Sequence, residues 1–133
     1  MRHFIGVVHQ EGDSAFGIHF PDAPGCFSAA DRFDDLLPNA VEALGVYFED
    51  EPMVEPRSMD RLREDHDVRS DLADGAILMA VPLIEVLGRR TKANIAIDAG
   101  VLKAIDDTAA ARGLTRSAFL VGLARREIEG RRD

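Results

Sequence analysis

The sequence predicts an α+β chain in two modules. The first is a small antiparallel sheet with helix cover, in the order β-β-β-α-β, and the second is a strand followed by two helices that completes itself as a dimer. Three observations carry this. Residues 1–30 alternate with period 2 and are followed by an apolar stripe at helical spacing. Residues 91–97 alternate again and lead into two helical stripes separated by Gly113. The charge also reverses between the two parts. The 133 residues carry a net charge of -8. Residues 1–88 hold six arginines, no lysine and 18 acidic residues, a net of -12, whereas residues 89–133 hold 10 basic and 6 acidic residues, a net of +4. Asymmetry of this kind suggests modules with different partners.

Within the acidic module, Phe4, Gly6 and Val8 share one parity and His3, Ile5, Val7 and His9 the other. Glu11-Gly12-Asp13-Ser14 is turn-like and Ala15 to Phe20 resumes as a second strand, which is a hairpin signal. Pro21-Asp22-Ala23-Pro24-Gly25 breaks that strand, because two prolines remove two ladder donors. Asp22 is expected to bond its own turn, and Cys26 to Ala30 to form a short third strand. A helix is expected from Phe33 to Phe48, its core stripe being Leu37, Ala40, Val41, Leu44 and Phe48. Asp34 and Asp35 suit the dipole of its first turn. Pro38 lies beyond that turn and predicts a kink or a later start. Residues 49–75 read as polar and irregular, with Ser58 able to cap a short helix through about Glu64. Ala76 to Leu83 is a buried strand, with Pro82 marking an end or an edge.

The basic module starts with Thr91 to Ile97, in which Ala93, Ile95 and Ile97 face one way and Lys92, Asn94 and Ala96 the other. Asp98 caps a helix to Arg112 with Leu102, Ile105 and Ala109 as its stripe, and Gly113 stops it. Thr115 caps a second helix, with Leu114 and Phe119 placed as a hydrophobic staple. Phe119, Leu120, Leu123, Ala124 and Ile128 form its inner face. One strand and two helices can neither satisfy the strand's backbone nor bury both stripes. A two-fold dimer solves both problems, with antiparallel strands and a shared core of Ile95, Ile97, Leu102, Ile105, Phe119, Leu120 and Leu123.

A two-stranded ribbon fits the DNA major groove, where Lys92 can donate to guanine and Asn94 can pair with adenine, with Ala96 as the third outward position. Thr115, Arg116 and Ser117 at a helix N-terminus suit a phosphate. The same polar positions also suit an ordinary solvated strand and a plain helix cap.

Lys92-Ala93-Asn94-Ile95-Ala96-Ile97 and Gly113-Leu114-Thr115-Arg116-Ser117-Ala118-Phe119-Leu120 resemble a ribbon-helix-helix DNA-binding domain. Gly17-Ile18-His19-Phe20-Pro21-Asp22-Ala23-Pro24-Gly25-Cys26, followed by a helix at Asp34 to Leu44, is similar to the signature of HicB antitoxins. Together they cover nearly the whole chain. The resemblance implies a degraded RNase H-like module at 1–85 that binds and inhibits a HicA-like mRNA-cleaving toxin. It implies a linker at 86–90 and a ribbon-helix-helix at 91–133 that binds operator DNA and represses the operon. Assembly would be a homodimer, with tetramers or higher forms left open. Two departures stand out: Arg32 lies where the family usually has a Thr or Ser cap, and Ala96 where many ribbons carry a polar reader.

No catalytic residue, cofactor or metal is expected. His3, His9, His19 and His66 lack metal-ligand spacing, and Cys26, the only cysteine, reads as a small core residue. No apolar run approaches the roughly 20 residues of a membrane span, and the N-terminal residues lack a signal-peptide core, so a cytoplasmic protein with no membrane partner is expected. Two other readings remain at this stage. One is a stand-alone ribbon-helix-helix repressor controlled by a small ligand or metal bound in the acidic module. The other is an active RNase H-like nuclease holding Mg²⁺ through clustered carboxylates.

Overall fold

A computed structural model describes residues 1–85 and 87–130. The chain divides into two compact units, 1–86 and 87–133. Residue 86, where the expected linker begins, and the last three residues of the basic module lie outside the described residues.

The first unit contains four strands, β1 (His3–His9), β2 (Phe16–His19), β3 (Phe27–Ala30) and β4 (Ile77–Pro82). They form one sheet in the order β3-β2-β1-β4, and every neighbouring pair is antiparallel. The β1–β2 turn closes through Ser14 N–H donating to the Glu11 carbonyl, with Gly12 at a φ of 58°. β1 is one of the two inner strands of the sheet, and its five middle residues are buried. Its parity sends Phe4 and Val8 to one face and Ile5 and Val7 to the other, so both faces carry a core. Pro82 ends β4 opposite His3, where a missing ladder donor costs least.

Helix α1 (Phe33–Asp50) covers the Phe4 face. It is one helix from Phe33 onward, so the later start expected from Pro38 does not occur. Proline removes only its own N–H, here at the sixth helical position. Arg32 makes no side-chain cap, leaving Asp34 and Asp35 to favour the first turn through the dipole. The buried stripe is Leu36, Ala40, Val41 and Leu44, while Leu37 and Phe48 sit at its margin. Ala40, Val41 and Leu44 are thus buried as expected, and Leu36 takes the buried place expected of Leu37.

The Ile5 and Val7 face is covered by residues 58–73, and here the sequence expectation falls short. Helix α2 (Met59–Arg63) starts as expected, with the Ser58 hydroxyl accepting from the Arg61 N–H. A further helix, α3 (His66–Ala73), follows it. The Asp65 carboxylate caps α3 by accepting from the N–H groups of Asp67 and Val68. Leu62 and Val68 are buried against Ile5 and Val7. This acidic stretch is therefore the second layer of the sheet and not merely a solvated face.

The second unit contains α4 (Ala99–Ala111) and α5 (Arg116–Ile128). Asp98 caps α4 by accepting from the N–H groups of Gly100 and Val101. Leu114 N–H donates to the Ala109 carbonyl (2.8 Å) and Gly113 N–H to the Ala110 carbonyl (3.1 Å), with Gly113 at a φ of 69°. That pair of bonds is the Schellman ending that glycine favours. Residues 89–98 form no helix or strand in the single chain. The strand expected over 91–97 is thus absent here, because a strand exists only through its pairing and this segment has no partner strand among the described residues. No helix among the described residues is long and apolar enough to cross a membrane.

Candidate functional site

The head of α5 is the first candidate. The Gly113 turn delivers Thr115 to the N-cap position, where its hydroxyl accepts from the Ala118 N–H at 3.1 Å. The N–H groups of Arg116 and Ser117 have no intrahelical acceptor by helix geometry, so this end attracts anions. Ser117 is exposed. Arg116, expected at a phosphate, is engaged within the chain. Its Nε donates to Asp106 Oδ1 and a terminal nitrogen to Asp106 Oδ2, both at 2.8 Å. This fork ties α5 to α4 and holds the Asp106 carboxyl below the usual carboxylate range. It also raises the Arg116 guanidinium above its ordinary value. Arg112, at the end of α4, lies 5.8 Å from the centre of the Phe119 ring.

The segment before α4 is the second candidate. Lys92, Asn94 and Ala96 are all exposed. So is Ile95, at 70%. Of the other residues expected in a shared core, Ile97, Leu102, Ile105, Phe119 and Leu120 are half-buried and Leu123 is exposed. Ala109 is the one buried apolar residue among those described after residue 86. The single chain thus leaves both apolar stripes of this unit largely uncovered.

The third candidate is a shallow depression of 270 Å³ in the first unit, beside the Pro21-Asp22-Ala23-Pro24-Gly25 turn. The turn itself is closed by backbone bonds from Ala23 to Phe20 and from Cys26 to Ala23. Asp22 does not bond its own turn as expected. Its side chain, 14% exposed, accepts from the Arg57 backbone N–H (2.7 Å) and from Arg57 Nε (2.8 Å). Arg57 reaches on to Asp65 at 3.3 Å. The bonds from Val68, Arg57 and Asp67 together hold the Asp65 carboxyl below its usual range. His19 Nε2 lies 3.7 Å from Asp71, and Phe27 is 70% exposed at the rim. With Asp67 and Asp71 on the wall, this acidic rim attracts cationic groups. Burial pushes the Cys26 thiol up, away from the thiolate that reacts. The rings of His9 and His19 are 5.7 Å apart. Among the described residues, no group of three or more His, Cys, Asp or Glu side chains is placed to hold a metal ion.

Sequence reasoning missed Asp106 and Arg57. Asp106 precedes Arg116 by ten residues, across a glycine turn that folds one helix back beside the other, a signal that was open to use. The 35-residue separation of Asp22 and Arg57 offers no local pattern.

The family described as HicB-like antitoxin of bacterial toxin–antitoxin systems matches residues 4–124. The crystal structure of antitoxin HicB from Burkholderia pseudomallei is 26% identical, with a TM-score of 0.54 over 93% of this chain and 96% of that one. A chain of the HicA3 and HicB3 toxin–antitoxin complex is 27% identical, with a TM-score of 0.51 over 62% of this chain and 98% of that one. An uncharacterised 14.9 kDa protein of Haemophilus phage HP1 is 27% identical over 125 residues, 89% of this chain and 92% of that protein.

Proposed function

The chain belongs to the HicB-like antitoxins of bacterial toxin–antitoxin systems, and we propose that it divides the work of an antitoxin between its two units. As a member of that family it is an antitoxin and not an enzyme. In this reading the first unit, RNase H-like in architecture, binds a HicA-like ribonuclease and blocks it. A net of -12 over residues 1–88 speeds encounter with a basic RNA-binding enzyme. The HicA3–HicB3 complex among the similar structures supports a toxin of this kind as the partner.

The second unit acts as a ribbon-helix-helix dimer that reads the operator and represses the operon, in the cytoplasm. The observation that carries this part is the pair of amphipathic helices in which only Ala109 is buried, preceded by an alternating segment without a strand partner among the described residues. A second copy supplies both the missing strand and the missing core. Lys92, Asn94 and Ala96 then face the groove, while Thr115, Ser117 and the head of α5 meet phosphate.

Two experiments test the two halves. Co-expression with a HicA-like toxin should restore growth, and the toxin should co-purify with the chain; growth arrest without co-purification removes the antitoxin–toxin pairing. The pair Lys92→Ala and Asn94→Ala should abolish a specific gel shift on the operon's own promoter. An unchanged shift would remove these residues as readers.

A further inference from the structure

The geometry points to Asp106 as a built-in competitor of DNA phosphate: it holds the guanidinium of Arg116, so that this cation joins the DNA interface only when the carboxylate lets it go. The inference rests on the reading of residues 87–133 as a DNA-binding unit.

Arg116 is the first residue of α5, beside the Thr115 cap, where unpaired N–H groups and the helix dipole already favour an anion. A guanidinium there would ordinarily take a phosphate with its planar fork. That fork is already filled. Nε and a terminal nitrogen each meet one oxygen of Asp106 at 2.8 Å, so the carboxylate occupies the place of a phosphate oxygen pair. Both side chains are open to solvent, 54% for Arg116 and 42% for Asp106. An exposed pair is screened by salt, but two parallel bonds to one carboxylate are the geometry in which such a pair keeps its worth, so Asp106 competes with a phosphate on comparable terms. Asp106 remains charged at neutral pH, since its carboxyl lies below the usual range. The next residue, Asp107, serves as an internal comparison. It pairs with Lys103 one turn back on the same helix at 2.8 Å, so it carries the same charge on another partner.

The consequence is a tuned affinity. A repressor must leave its operator as well as bind it, and each protomer keeps one cation in reserve. Phosphates neutralised by Arg116 cost the breaking of an internal pair, so the wild-type chain releases fewer counterions than its cations would suggest.

The test is binding of the full chain to its own promoter fragment over a series of salt concentrations. Asp106→Asn should tighten binding about 3- to 10-fold and steepen the slope of log K against log salt by about 0.9 per protomer. Arg116→Ala should change wild-type binding by less than about 2-fold, yet remove the whole gain in the Asp106→Asn background. Asp107→Asn, the charge control, should leave the slope unchanged. Asp106→Ser serves as a second variant if circular dichroism shows the first misfolded. The proposal is overturned if Arg116→Ala alone weakens binding 10-fold or more. It is equally overturned if both Asp106 variants leave affinity and slope unchanged, or if Asp107→Asn matches them. Failure of the wild-type chain to bind its promoter specifically would overturn the DNA-binding reading itself. Specific wild-type binding with inert Asp106 variants overturns this inference alone.

Discussion

Asp22 sits in a proline-flanked turn, yet its carboxylate accepts from the backbone and the guanidinium of Arg57, 35 residues away. The charge therefore fastens the β2–β3 turn to the segment that carries α2 and α3. Asp22→Ala leaves the Arg57 N–H unsatisfied and should lower the stability of the first unit by about 1–3 kcal/mol. Chemical denaturation followed by circular dichroism would read it, and an unchanged midpoint would mean that the bonds are not formed in solution. The same network has an acid limit. The Asp65 carboxyl is lowered by the N–H of Val68 first, then by Arg57 and Asp67. A lowered carboxyl stabilises the fold fully above its unfolded value of about 4 and loses that contribution as pH falls through its folded value. Acid unfolding of Asp65→Asn should therefore be flatter than that of the wild-type chain below about pH 4. Acid titrations of the two proteins run side by side would check this, and coincident curves would show an Asp65 without this role.

At the scale of elements, the sheet of the first unit is covered on both faces because β1 is apolar at both parities. Helix α1 was legible from its own stripe, apart from Leu36 taking the buried place expected of Leu37. Helix α3 was not, because eight residues with Val68, Leu72 and Ala73 as their apolar members show too little period to stand out from a charged stretch. The Asp65 cap is a local signal for α3, but what fixes the helix is the face of β1 beneath it, which no local window contains. Leu62→Ala should thus cost about 2–5 kcal/mol, as expected for a core leucine. Thermal melting would check this, and a loss within about 0.5 kcal/mol, typical of surface sites, would mean that this face is open. Gly6 is the second constraint on the sheet. A Cβ there would run into Ile18 Cδ1 and lie 2.6 Å from its Cγ1 and 3.1 Å from the Phe20 ring. Period-2 reading marks Gly6 only as a gap in an apolar row, while the packed sheet shows it as the space into which Ile18 fits.

For the whole molecule, the decisive contrast is between a first unit with two cores and a second unit in which Ala109 is the one buried apolar residue among those described. A unit that lacks its own core draws its stability from association. The chain should therefore melt in two steps, with the step belonging to residues 87–133 rising in temperature as protein concentration rises and the other staying fixed. Calorimetry over a 100-fold range of concentration, with sedimentation in parallel, measures both. Two concentration-independent steps from a sedimenting monomer would remove the dimer from the proposed function. The same division explains the charge. A total of -8 disguises an acidic unit suited to a basic protein and a basic unit suited to phosphate.

Local pattern by itself determined the strands of the first unit, α1, both caps and the glycine turn of the second unit, and the reversal of charge between the units. These follow from period, capping chemistry and composition, which act over a few residues at a time. Only the tertiary structure decided that α3 exists, that Asp22 belongs to Arg57 and that Arg116 is held by Asp106. The first two depend on a surface or a charge brought close by folding from elsewhere in the chain, of which a linear pattern carries no record, whereas the third spans ten residues and depends on how the Gly113 turn sets one helix against the other.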